Sequence, residues 1–339
     1  MNERDFWYVA AETKHLGARN VLSAKILDEW IALFRDESGN AVALKDRCLH
    51  RGVRLSAGIL EKGQLRCSYH GWKYNSKGEV VHIPSEGPDL PKGKCRQQTA
   101  YSVVEYDGLV FVCLAATPVL PTPFRSPFYG EKGWKTERLV NFFQNNVTNC
   151  AENFVDVPHT TFVHPKIFRD PEGHHVTLDI LRENGSVRVD YLNEKHSLGI
   201  FGWFLNPKKE TYGHTDWFHM PNVTSVEYHF SATKHFYITS QSVPTSSTET
   251  KVYTDLTYHY GIWNLVAGPV VRWLGQKVID QDLDILRNQI ETLQKYPEPF
   301  QNSGADVVHV AIEAVRDALL RGEDPRLLPS KKQRIEIVI

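Results

Sequence analysis

The stretch that decides the fold is Cys48-Leu49-His50-Arg51-Gly52, read together with Cys67-Ser68-Tyr69-His70-Gly71-Trp72. Each half offers one thiol and one imidazole. Sixteen residues separate His50 from Cys67, enough for one excursion that brings the two hooks together. Two thiolates on one iron and two imidazoles on the other make a [2Fe–2S] centre of mixed ligation, and the neutral imidazoles raise its potential into roughly −150 to +300 mV. Structural zinc is the rival for a Cys₂His₂ set. Zinc hooks, however, pair Cys with Cys and His with His at spacings of about two to five residues, whereas both hooks here are mixed. Cys95, Cys113 and Cys150 show no partner pattern and read as buried free thiols.

A second cluster lies downstream, in Glu152-Asn153-Phe154-Val155-Asp156-Val157-Pro158-His159-Thr160-Thr161-Phe162-Val163-His164. Asp156 and His159 are three apart and on a helix would share a face. His159 and His164 are five apart, about 140° round a regular helix. Both reach one ion only where the backbone leaves helical geometry, and Pro158 is the expected cause. Two histidines and one carboxylate from elsewhere form the facial triad of non-haem Fe(II) sites, which leaves positions open for O₂. Three acids compete for the third place: Asp280, Asp282 and Asp284. The residues three and four positions from Asp282 are Val278, Ile279, Ile285 and Leu286, all apolar, while those around Asp280 and Asp284 are largely polar. A carboxylate in an apolar stripe needs a cation, so Asp282 is the expected ligand.

The rest of the chain sets limits. A length of 339 residues favours two domains. The net charge of −1 lacks the basic excess that nucleic-acid binding needs. The amino-terminal stretch MNERDFWYVAAE shows no positive region followed by an apolar one, and segment 262–274 is too short and too interrupted to span a bilayer. A cytoplasmic protein is expected. Residues 1–117 read as β structure, with strand-like runs at 30–34, 41–44, 80–83, 101–104 and 109–114 separated by turn signals at 36–39 and 75–78. Pro118, Pro121, Pro123 and Pro127 read as a linker. Beyond it a helix is expected over 146–156, then strands at 186–192, 224–230, 235–243 and 251–260. Two helices, 270–294 and 305–321, are expected to close the chain. This is an α+β pattern. The apolar stretch 261–275 is either a rim for a hydrophobic substrate or ordinary core. With no Gly-x-Gly-x-x-Gly turn after a strand, flavin or nicotinamide binding within the chain is not expected.

Through Cys48 to Gly52, Cys67 to Trp72, Asp156 to His164 and Asp282, in that order along the chain, the sequence resembles the Rieske non-haem iron oxygenases. Its length and Glu152-Asn153 are similar to the single-subunit monooxygenase and demethylase branch that includes vanillate demethylase and dicamba monooxygenase. The resemblance implies an all-β Rieske domain over 1–117 and a helix-grip catalytic domain over 118–339, an antiparallel sheet with flanking helices. It implies a [2Fe–2S] cluster on Cys48, His50, Cys67 and His70, a mononuclear Fe(II) on His159, His164 and Asp282, and O₂ as co-substrate. It further implies a homotrimer in which each cluster serves the neighbouring subunit's iron. Asp156 matches the bridging carboxylate, hydrogen-bonded to His159 and to His70 of the neighbour, a placement that would orient the imidazole. Electrons would come from a separate NAD(P)H-dependent reductase or a ferredoxin. The expected activity is O₂-dependent hydroxylation of a small or hydrophobic organic substrate, which on an O-methyl or N-methyl group begins a demethylation. The alternative within the family is cis-dihydroxylation of an aromatic ring. From another class, the chain would be an electron carrier without catalysis, against which an open iron site argues.

Overall fold

In a computed structural model of the chain, residues 1–87, 96–165, 167, 175–194, 212–231 and 234–338 are described. Two compact units divide it: Arg4–Arg125, and Met1–Glu3 with Ser126–Ile339. Segment 118–125, with three of the linker prolines, falls in the first unit. Cys95 lies outside the described residues.

Strand Glu29–Arg35 shows how the first unit is built. Ile31, Ala32, Leu33 and Phe34 are all buried, so successive side chains pointing to opposite faces both find cover. The strand belongs to a six-stranded sheet in the order Trp7–Glu12, Leu109–Cys113, Ala100–Tyr106, Ala41–Lys45, Glu29–Arg35, Leu22–Ile26. A smaller sheet runs Ile59–Glu61, Gln64–Arg66, Lys73–Tyr74, Val80–His82. Ala32, Phe34, Val42 and Leu44 of the first sheet share one core with Leu65, Tyr74 and Val80 of the second, and Cys48 and Cys67 belong to it. The five expected runs all carry strands; Trp7–Glu12, Leu22–Ile26, Ile59–Glu61, Gln64–Arg66 and Lys73–Tyr74 were not foreseen.

The second unit is an eight-stranded antiparallel sheet flanked by helices. Its order is Lys135–Phe143, Glu249–His259, Lys234–Ser246, Val223–Ser231, Gly213–His219, Ser186–Leu192, His175–Glu183, Lys331–Val338. The described helices are α1 (Val147–Asn153), α2 (His159–Val163), α3 (Asn264–Lys295) and α4 (Val307–Leu320). In α3, Ala267, Val271, Leu274, Ile279, Leu286 and Ile290 are buried. All but the last pack with Leu139, Phe143, Val252, Leu256 and Tyr258 of the sheet. Gly275 brings the helix close: a Cβ there would lie 2.5 Å from Leu256 Cδ1. Ala311, Ile312 and Val315 of α4 cover the other half of the sheet, around Leu178, Val189 and Ile337.

Three expectations need correction. The chain closes on a strand, Lys331–Val338, not on a helix. This strand and Lys135–Phe143 are the two edges of the sheet, where fewer neighbours relax the demand for apolar residues. Asp156 lies between α1 and α2, so it does not share a helix face with His159. Ile285 is 45% exposed and lies outside the apolar stripe of α3. Stretch 261–275 is a 3₁₀ turn running into α3. Ala267, Val271 and Leu274 are core, while Trp263, Val266 and Trp273 face outward. The side chains of Ile262 and Leu265 lie outside the described residues.

Asn145 ties these pieces together. It is fully buried, and its Nδ2 donates to Leu286 O and Gln289 Oε1 on α3, both at 2.8 Å. Its Oδ1 accepts from the Asn146 N–H and from Asn149 Nδ2 at the start of α1, again at 2.8 Å. Thr250 Oγ1 donates to its carbonyl at 2.9 Å. Losing several buried hydrogen bonds at once should make Asn145→Ala about 2–4 kcal/mol less stable. Removing the neighbouring N-cap in Asn146→Ala should cost about 1 kcal/mol. Urea unfolding of the two variants measures the difference, and equal losses would deny Asn145 this role.

Candidate metal centres

The two hooks of the first unit have the same backbone. Cys48 N–H donates to Val53 O at 2.7 Å and Gly52 N–H donates to Cys48 O at 3.0 Å; Cys67 N–H donates to Trp72 O at 2.9 Å and Gly71 N–H to Cys67 O at 3.2 Å. Each loop turns through a glycine of positive φ, +76° at Gly52 and +74° at Gly71. Those are left-handed conformations that glycine adopts without penalty. The loops therefore return on themselves and aim their side chains alike. Both thiols are inside, each residue 2% exposed, while His50 is half-buried and His70 is exposed. The two imidazoles meet edge to face with centroids 4.5 Å apart, and His50 stacks on Trp72 at 5.0 Å.

This donor set fits a cluster. His50 Nδ1 is buried with no hydrogen-bond partner, which is costly unless something takes its lone pair or proton. Burial pushes the Cys67 thiol upward and Cys48 beside it pushes it further, so paired thiolates here call for a cation. Burial, with His70 and Arg51 nearby, pulls the His50 pKa down, which favours the neutral ring that ligates metal.

In the second unit three candidate ligand atoms converge. His159 opens α2 with Pro158 as its N-cap, and His164 is the first residue beyond the helix, at φ −117° and ψ 55°. The break that aligns the two imidazoles thus comes at His164, whereas Pro158 begins a new helix. His159 Nε2 and His164 Nε2 are 3.3 Å apart, and Asp282 Oδ1 lies 3.5 Å from the first and 3.1 Å from the second. Asp282 is 5% exposed, while Asp280 and Asp284 face solvent. Asp282 Oδ1 and His159 Nδ1 are both buried without a hydrogen bond of good geometry. Gln281 Oε1 lies 2.9 Å from His164 Nδ1 and can only accept there, so the proton sits on Nδ1 and the Nε2 lone pair faces the other two ligands. Burial opposes charge on His159, but Asp156 and Asp282 outweigh it and raise its pKa to about 9. Burial likewise works against the Asp282 carboxylate, yet the two imidazoles hold its pKa below the usual range. Asp156 is exposed, with Oδ2 3.5 Å from His159 Nδ1.

A cavity of about 110 Å³ opens beside this cluster. Sheet residues Val226, Phe236, Ile238 and Leu256 line it, with Gly275, Val278 and Ile279 from α3 above them. Of the stretch 261–275, Gly275 lines it, while Ala267, Val271 and Leu274 are core and no other described residue of the stretch reaches the cavity.

Some groups escaped the sequence reading. Gln281 adjoins Asp282, but nothing in the sequence says that its side chain turns to His164. Glu152 accepts from His309 Nδ1 at 2.6 Å, with Glu313 3.3 Å from the other ring nitrogen; burial raises the Glu152 pKa to about 7. His214 and Asp216 are buried in the cavity wall. Their only signal was two polar groups at a spacing of two within a strand.

Comparison with known proteins places the chain in a family. Residues 6–106 match the Rieske [2Fe-2S] domain, and residues 143–321, more than half of the chain, match the vanillate O-demethylase oxygenase C-terminal domain. The chain belongs to the Rieske oxygenases. Among relatives of this Rieske oxygenase is a putative toluene-4-sulfonate monooxygenase system iron-sulfur subunit, TsaM2, of Comamonas testosteroni. It is 33% identical over 165 residues, covering 48% of this chain and 46% of the relative. The dicamba O-demethylase oxygenase component of Stenotrophomonas maltophilia is 33% identical over 164 residues, 48% of this chain and 47% of its own. The chain spans about half the length of the curated relatives it matches. Among solved structures, NdmA of Pseudomonas putida CBB5 with caffeine superposes with a TM-score of 0.77 at 21% identity, covering 97% of this chain and 96% of the other. At that identity the likeness speaks for the fold. The α+β architecture is thus a Rieske domain followed by a catalytic domain built on a large antiparallel sheet. With that family come a [2Fe–2S] cluster and a mononuclear iron.

Tyr74 offers a test of the first centre. Its hydroxyl accepts from the Leu49 N–H at 2.9 Å and lies 3.2 Å from Cys48 Sγ, which leaves its hydrogen directed at sulfur. Hydrogen bonds to cluster sulfurs stabilise the reduced, more negative state. Tyr74→Phe should therefore shift the cluster potential in the negative direction with its absorbance retained. A redox titration monitored by electron paramagnetic resonance reads the shift, and an unchanged potential would remove Tyr74 from the account.

Proposed function

We propose that this chain is the terminal oxygenase of a Rieske system, catalysing O₂-dependent hydroxylation of a small organic substrate, and demethylation where the carbon attacked is an O- or N-methyl. The observation that carries this reading is the convergence of His159 Nε2, His164 Nε2 and Asp282 Oδ1 on one point beside an apolar cavity. A pure electron carrier has no use for such a site. Bound to these groups, Fe(II) supplies open positions for O₂ and the cluster supplies electrons one at a time.

The chain's own residues do the rest. Cys48, Cys67, His50 and His70 hold the cluster, with the imidazole side toward solvent where a reductase or ferredoxin can approach. Gln281 fixes the His164 tautomer. Val226, Phe236, Ile238 and Leu256 exclude water and pack against the substrate. Asp156 orients His159 and, in a homotrimer, accepts a hydrogen bond from His70 of the neighbouring subunit. Its exposure leaves it available for that contact. Electrons come from a separate NAD(P)H-dependent reductase, directly or through a ferredoxin. A cytoplasmic location suits Cys113 and Cys150, buried thiols outside any disulfide, and two cysteines kept for a cluster. No described helix is long and apolar enough to cross a membrane.

Anaerobically reconstituted protein should hold about three irons per chain and take up O₂ in a substrate-dependent manner. Stoichiometric zinc in a colourless protein would sink the proposal. Asp282→Ala should lose the mononuclear iron and all turnover while keeping the cluster spectrum. Asp280→Ala and Asp284→Ala, both at exposed positions, should change stability by under about 0.5 kcal/mol and keep the iron. Asp156→Asn should retain both metals yet slow reoxidation of the cluster in a single turnover by about tenfold or more. Stopped-flow reoxidation at the wild-type rate would reject the bridging role.

A further inference from the structure

The wall of the cavity opposite α3 is one face of the eight-stranded sheet, and the register shows what it carries. Asp216 pairs across to Val226, Val226 to Ile238 and Ile238 to Leu256. All four line the cavity. An apolar row therefore ends in a carboxylate. Asp216 is 1% exposed, and while its Oδ1 lies 3.0 Å from His214 Nε2, its Oδ2 is buried with no hydrogen-bond partner.

This carboxylate is held rigidly. The other nitrogen of His214 lies 2.7 Å from Glu194 Oε2, and the ring is stacked between Tyr191 at 4.2 Å and Tyr228 at 4.5 Å. Burial alone would keep the ring neutral, but Asp216 and Glu194 raise its pKa to about 9. No lysine or arginine is among the described lining residues, so the described wall offers a substrate carboxylate or sulfonate no cationic partner. A buried acceptor fixed by its neighbours and left with one unused oxygen is the arrangement that recognises a donor.

We propose that the substrate is a compact, largely apolar molecule bearing a protonated or N–H-donating nitrogen, which hydrogen-bonds to Asp216 Oδ2 while its apolar body lies along Val226, Ile238 and Leu256. The inference rests on the reading of this cavity as the substrate site of the oxygenase. Aromatic carboxylates and sulfonates are poor ligands, because their anionic end meets a carboxylate in a low-dielectric wall. Neutral isosteres without a donor fit the space and leave Oδ2 unpaired.

The test uses three probes of matched shape: N-methylbenzylamine, a cation at neutral pH; benzyl methyl ether, neutral and without a donor; and benzoate. Binding to the full chain, loaded with cluster and iron, is measured anaerobically by calorimetry, and O₂ uptake is then followed with reduced protein. The amine should bind about tenfold or more tighter than the ether, as a charge-assisted hydrogen bond warrants, and benzoate should bind weakest. Asp216→Asn should shrink the amine-to-ether ratio to under about threefold. Cluster absorbance and melting temperature report whether the variant is folded, and the wild-type ranking decides the matter if it is not. Ether or benzoate binding as tightly as the amine overturns the proposal, as does failure of the amine to bind at millimolar concentration. An amine preference that survives in folded Asp216→Asn also overturns it, and assigns Oδ2 to an ordered water. Amine binding without any O₂ uptake supports recognition by Asp216 and counts against the oxygenase reading. Uptake stimulated by benzoate and not by the amine keeps the oxygenase and overturns the recognition.

Discussion

A carboxylate inside an apolar helix stripe is unstable unless positive charge or strong donors meet it. Asp282 occupies a position in α3 whose neighbours along the stripe, Ile279 and Leu286, belong to the core, and two imidazoles answer it. Everything around the pair keeps that meeting in register. Gly275 lets α3 approach the sheet closely. Asn145 ties the start of α1 to α3, and the chain runs from α1 through Asp156 into the short helix that carries His159. The end of that helix turns His164 inward.

The first centre is governed by backbone rather than by charge. Two loops with the same hydrogen-bond pattern, each closed by a glycine of positive φ, present two thiols to the core and two imidazoles outward. Burial is asymmetric: Cys48 and Cys67 pack with Leu55, Leu65 and Tyr74, while the imidazole of His70 is exposed.

The cavity also has two unlike sides. The His159, His164 and Asp282 group faces a largely apolar sheet surface, and that surface ends in the His214, Asp216 and Glu194 trio. Small-molecule sites are commonly built this way, largely apolar with a few placed polar groups.

The two candidate metal-binding constellations were legible in the sequence because their chemistry is local and uncommon. Mixed Cys-x-His and Cys-x₂-His hooks, a His pair five residues apart, and one acid among apolar helical neighbours each read without a fold. Four interior strands of the large sheet and the two long helices were legible for a related reason, since burial on a regular element imposes a period on residue type, although Gly213–His219 and His175–Glu183, also interior, were not singled out. Other features were not local. The edge strands Lys135–Phe143 and Lys331–Val338 carry a weak pattern because one side of each lacks a strand neighbour. Asp156 left the helix, and the turn that aligns His159 with His164 came after α2 rather than at Pro158. His214 and Asp216 looked like ordinary polar residues until four strands placed them beside Val226, Ile238 and Leu256. Sequence alone determined which atoms could bind metal, because that follows from residue chemistry and short spacing. Only the tertiary structure decided which of them converge and what faces them across the cavity, because those distances are set by packing between segments far apart in the chain.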